Sequence, residues 1–140
     1  MVKKLMTINC YDGAETMIIV GTCLKDVQKK AYSKLEEISS NIYELCLEET
    51  HVNMAITKII GILSRIKVKK LIFATVDKSP HCTQLHYVES EIKKAMVNNE
   101  TEMIHYVAVN DELVKISSDT IKLSKNLSEL EKNNKNIIVT

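Results

Sequence analysis

LIFATVDKSPHCTQLHYVESEIKKA, residues 71–95, is the stretch whose reading decides the fold. Its first six residues are almost unbroken apolar character, which predicts a central parallel strand buried on both faces. After a short turn, Ser79 is placed as an N-cap and Pro80 at the first helical position, where its missing N–H has no helical partner to lose. Leu85, Val88, Ile92, Ala95 and Met96 then recur at helical spacing, so a helix with one buried face follows. A strand that feeds a helix through a tight turn is where open α/β sheets hold their ligands.

Working outward, the residues on the N-terminal side repeat this alternation. Val52, Ala55, Ile56, Ile59, Ile60, Leu63 and Ile66 form a wide apolar stripe behind an N-cap at Thr50, and residues 42–48, IYELCLE, predict a strand before it. Val27, Ala31, Leu35 and Ile38 predict an earlier surface helix. Residues 3–10 and 15–22 predict two strands, and Asp12-Gly13 between them is a strong short hairpin signal. On the C-terminal side, residues 103–109 and 112–117 predict a second hairpin about Asn110-Asp111. Ser118 then caps a last helix carrying Ile121, Leu127 and Leu130, and residues 133–136 read as a polar break before a final IIVT. Strands alternating with helices require right-handed crossovers. The expected fold is an α/β three-layer sandwich with a mostly parallel sheet and hairpins at its edges. Residues 1–132 form a single domain, and residues 133–140 a short polar tail or edge strand.

Composition narrows the function. The chain has 140 residues and a net charge of +1, with acids and bases mixed along its length. Of 19 basic residues only Arg65 is arginine, the usual reader of phosphates and guanine edges, so nucleic acid is not an expected partner. No apolar run is long enough to span a membrane and no export signal opens the chain, so a cytoplasmic protein with reduced cysteines is expected. None of the four cysteines forms a Cys-x-x-Cys pair. With three glycines and no Gly-x-Gly-x-x-Gly or Walker sequence, no dinucleotide is expected.

The chemistry-bearing residues gather at predicted carboxyl ends of strands. Cys82 is at about the third helical position after Ser79, where free N–H groups and the helix dipole favour a thiolate. His86 follows four residues later on the same helical face. Cys82, His86, Cys10 and His51 form a candidate ligand set for zinc or iron, with His81 as a further donor. The same turn reads without metal as an anion site built from Lys78, Ser79, His81, Cys82 and Thr83. Glu48, Glu49 and Asp77 are candidates for acid–base work on the same rim. His105, in mid-strand, reads as a sheet residue, and Cys46 as a core residue within its strand.

Residues 50–58, THVNMAITK, with the strand beyond them, faintly resemble the kink-turn RNA-binding ribosomal proteins, which place an Asn at such a helix start. The acidic residue those proteins carry next is Met54 here and their preceding glycine is absent, so the RNA-binding reading is not adopted. The leading expectation is a Cys/His site at the carboxyl rim of the sheet, holding a metal or a reactive thiolate. A small-anion or metabolite-binding regulatory module and a protein interaction domain, including a homo-oligomer, are the alternatives. Whether the chain is an enzyme is left open by its residues.

Overall fold

The computed structural model describes residues 2–137 of the chain. Six strands form one sheet: β1 (Lys3–Lys4), β2 (Thr16–Gly21), β3 (Ile42–Leu45), β4 (Lys70–Val76), β5 (Glu102–Val109) and β6 (Glu112–Ile116). Their order is β1-β3-β2-β4-β5-β6, with every pairing parallel except β5–β6. The helices are α1 (Leu24–Val27), α2 (Lys29–Ile38), α3 (Val52–Arg65), α4 (Pro80–Ala95), α5 (Ser118–Lys125) and α6 (Leu127–Ile137), with one 3₁₀ turn at Leu5–Thr7. This is the expected α/β architecture.

Alternate residues of each central strand feed two separate apolar clusters. Met17, Ile19, Leu71 and Phe73 pack with Ala55, Ile59, Leu85, Val88 and Ile92 of α3 and α4. Ile18, Val20, Ile72 and Ala74 pack with Leu24, Ala31, Tyr32 and Leu35 from α1 and α2. Both faces of β2 and β4 are therefore dry, which is why residues 71–76 carry no polar alternation.

Several expectations change: the strand expected over residues 3–10 is only Lys3–Lys4, followed by the 3₁₀ turn, and the N-caps expected at Thr50 and Ser118 fall at His51 and Ser117. Asp12-Gly13 does not turn a hairpin, because β1 and β2 do not pair and both run parallel to β3. Gly13 has no positive φ. It is small for a packing reason: a Cβ there would stand 3.0 Å from Ile62 Cγ2 and 3.2 Å from Ile66 Cδ1. The first surface helix is broken at Gln28 (φ −129°, ψ 67°), so the helical phase resets. Val27 and Ile38 are exposed as a result, and Leu24 and Tyr32 take their places in the core. The last helix is likewise two, divided at Asn126, and α6 continues through the asparagine cluster of residues 133–136. Residues 138–140, where an edge strand was a candidate, lie outside the described residues.

The second hairpin forms as expected. Asn110 (φ 49°) and Asp111 (φ 62°) take the two left-handed positions that a two-residue primed turn demands.

Candidate functional site

Parallel strands place the loops after β2, β3 and β4 on one rim. Residues from all three meet there around a cavity of about 240 Å³. Gly21, Thr22 and Cys23 come from the end of β2, Leu45, Cys46 and Glu48 from the end of β3, and Ser79, His81, Cys82 and Leu85 from the start of α4. Asp26 of α1 completes the acidic side.

At this cavity two thiols face one another. Cys23 Sγ and Cys82 Sγ are 3.8 Å apart, bridging the sheet from the α1 side to the α4 side. Cys82 reaches this place because Gly21 has no side chain: a Cβ on Gly21 would stand 3.1 Å from its sulfur. The Cys23 thiol is pushed up to about 11, first by partial burial and then by the facing Cys82 sulfur, with a smaller push from Cys46. Cys23 therefore holds its proton at neutral pH. His81 Nε2 lies 3.3 Å from Glu48 Oε1, an exposed pair at the mouth.

Of the residues expected to form the anion site, Ser79, His81 and Cys82 line this cavity. Ser79 occupies the N-cap position of α4, yet its side chain makes no capping bond; its carbonyl instead accepts from Thr83 N and Thr83 Oγ1. Lys78 sits at φ 70°, turning the chain from β4 into α4.

The expected metal set is not brought together. Cys10 Sγ lies against Gly61, in the third turn of α3, because the chain doubles back over that helix to start the parallel strand β2. His51 is exposed at the N-cap of α3. His86 points into the core, where it bonds to Thr75 and His105. Two sulfurs on one tetrahedral zinc stand about 3.8 Å apart, so Cys23 and Cys82 have the span of two ligands. Among the described residues, however, no group of three Cys, His, Asp or Glu side chains is placed to hold an ion.

Cys23 and Cys46 were the residues missed in sequence. Cys46 directly follows β3 and Cys23 stands two residues beyond β2, each at a carboxyl end. Reading residues 15–22 as a parallel strand places Cys23 on the rim, and ending the next strand at Leu45 places Cys46 there.

The fold and cavity define the class: a small α/β chain with a dithiol at the carboxyl rim of a mostly parallel sheet. Comparison with protein-family models, curated proteins and solved structures finds no match to this chain. Among the described residues no helix is long and apolar enough to cross a membrane.

Proposed function

We propose that this chain is a thiol-redox protein whose Cys82 and Cys23 exchange with a small disulfide in the rim cavity. The observation that carries the reading is the 3.8 Å approach of the two sulfurs across that cavity. A disulfide needs about 2.05 Å between sulfurs, a distance side-chain rotation can close when the thiols already touch. Cys82, in the first turn of the sixteen-residue helix α4, lines the cavity from that side.

The exchange balances as follows. Cys82, deprotonated, attacks one sulfur of the external disulfide, forming a mixed disulfide and releasing the first external thiolate. Cys23 then gives up its proton and attacks Cys82 Sγ, closing the Cys23–Cys82 disulfide and releasing the second. Two protein thiols are oxidised, one external disulfide is reduced to two thiols, and the two protein protons end on those thiols. The raised affinity of Cys23 for its proton suits the resolving role, since it stays a thiol until the mixed disulfide has formed. A reducing compartment such as the cytoplasm returns the pair to its dithiol form.

The anion reading is weaker, because Asp26 and Glu48 stand around the same cavity and repel negative charge. Incubation of the reduced protein with a small disulfide, followed by intact-mass measurement, separates the readings. The expected product is a protein lighter by two hydrogens with Cys23 and Cys82 linked. Cys23→Ala should stall as a mixed disulfide on Cys82, and Cys82→Ala should remain unmodified at the site. Stoichiometric zinc or iron lost in both variants would replace this reading with a metal site. Stabilisation by phosphate that survives Cys82→Ala would replace it with the anion site.

A further inference from the structure

One turn along α4 from Cys82, a second polar group lies away from the rim cavity and inside the core. Thr75 Oγ1 is 2.7 Å from His86 Nε2, His86 Nδ1 is 2.9 Å from His105 Nδ1, and His105 Nε2 is 2.7 Å from Glu89 Oε2. Thr75, His86 and His105 are each no more than 2 % exposed, and Glu89 only 5 %. Phe73 stacks on His105 at 5.1 Å between ring centroids. Lys93 of α4 bonds to the far carboxylate oxygen at 2.6 Å, and Ser118 at the start of α5 reaches both oxygens at 3.3 and 3.2 Å. Every polar side-chain atom buried among the described residues has a partner.

The direction of this chain follows from its end. Burial works to raise Glu89, but Lys93 and His105 outweigh it and hold the carboxyl below its ordinary range, so Glu89 is an anion that can only accept. His105 must then carry its proton on Nε2, leaving Nδ1 bare. His86 must donate from Nδ1, leaving Nε2 bare, and Thr75 must donate its hydroxyl hydrogen to that nitrogen. Each ring is donor to one neighbour and acceptor from the other, with Thr75 the terminal donor and Glu89 the terminal acceptor.

We propose that Thr75, His86, His105 and Glu89 form an internal binding site for a single proton, whose uptake reverses both links made by His86. With one proton added, the Glu89–His105 bond holds the extra charge, either as imidazolium with carboxylate or as neutral ring with carboxylic acid. The added proton is taken at His86 Nε2 and His86 passes its Nδ1 proton to His105 Nδ1, so that His105 Nδ1 donates to His86 Nδ1 and His86 Nε2 donates to Thr75, which becomes the acceptor. All three links survive in both states. A second proton would set two N–H groups head to head across 2.9 Å, so the site saturates at one. Protons reach it through a cavity of about 80 Å³ between α4 and α5, lined by Glu89, Lys93, Ser118, Lys122 and Lys125. Burial of both rings, helped by His105 beside His86 and by Lys93 near His105, places the uptake on the acid side of an ordinary histidine.

Imidazole ¹⁵N spectra across pH test this on the intact chain. At neutral pH His86 should be the Nδ1–H tautomer and His105 the Nε2–H tautomer. On acidification both rings should change at one shared pH, with the bare-nitrogen signal of His86 Nε2 lost as its proton moves. Glu89→Gln, which removes the anion that sets the direction, should lose the fixed tautomers of both rings. His86 found as Nε2–H at neutral pH, or two rings titrating at separate pH values, would overturn the proposal. So would unchanged tautomers in a folded Glu89→Gln protein, and should that variant not fold, the wild-type tautomers decide alone.

Discussion

His86 and His105 are buried imidazoles and show how much a single residue's setting governs this protein. Burial, with the neighbouring His105, pushes His86 from 6.5 down to about 3, and burial lowers His105 as well. The unfolded chain therefore binds protons more readily than the folded one below about pH 6.5. Their contribution to stability is complete above that point and declines as pH falls toward the folded value of His86; Glu89, also lowered, adds loss of the same sign below its ordinary 4.5. Urea unfolding at about pH 7.5 and about pH 5 should show a clear fall in wild-type stability. His86→Leu should cost about 1–3 kcal/mol at the higher pH, by unpairing Thr75 and His105, and should flatten the slope between the two. A slope unchanged in the variant would assign acid sensitivity to other groups. At the rim, Gly21→Ala would push a methyl within 3.1 Å of Cys82 Sγ, displacing that sulfur from Cys23. Its expected signature is slower closure of the Cys23–Cys82 disulfide with Tm nearly unchanged, read by timed alkylation and mass spectrometry.

Among the elements, the short α1 opens directly after Cys23 and ends at the break at Gln28. Gln28 leaves helical geometry and spends its side chain on the β5–β6 turn, with Oε1 accepting from Asp111 N at 2.6 Å. Asp111 Oδ1 in return accepts from Lys30 N in the first turn of α2, at 3.3 Å. Gln28→Ala removes one link of this exchange and should cost about 1 kcal/mol in chemical denaturation, without changing the reactivity of Cys82. The elements legible in sequence were those whose signals are local. Residues 71–95 announced strand, cap and helix through apolar continuity, Ser79 and Pro80, and Asn110-Asp111 announced its turn by residue type. The elements misread were set by contacts distant in sequence. Gly13 is glycine because Ile62 and Ile66 press on it, although Asp-Gly has the look of a turn. The expected stripe of Val27, Ala31, Leu35 and Ile38 assumed one uninterrupted helix, whereas a bond to a hairpin eighty-three positions away favours the break at Gln28. The expected first hairpin carries Cys10 to the rim and leaves Cys23 unplaced, and the expected strand over residues 42–48 holds Cys46 in the core, whereas β3 ends at Leu45.

For the molecule as a whole, charge is nearly balanced, yet it is not evenly spread around the dithiol. The chain's net charge is +1, while the cavity that holds Cys23 and Cys82 has Asp26 and Glu48 on its lining, with His81 as the one basic side chain there among the described residues. A disulfide entering there passes close to two carboxylates, one of them shared with His81. A positive group on the incoming molecule should therefore be favoured and a negative one disfavoured. One charge pair at about 4 Å in water is worth about 1 kcal/mol, or about fivefold in rate. Cystamine, a cationic disulfide, should then oxidise the pair at least about fivefold faster than glutathione disulfide, with neutral hydroxyethyl disulfide between them. Added salt should narrow the gap, since screening acts on exposed charges over about 8–10 Å. Asp26→Asn with Glu48→Gln should bring the three rates together while leaving both cysteines in place. Equal rates in the wild-type protein would mean that the carboxylates do not choose the partner. Failure of all three disulfides to react would instead remove the dithiol reading itself, so the series tests the site and its selectivity in one experiment.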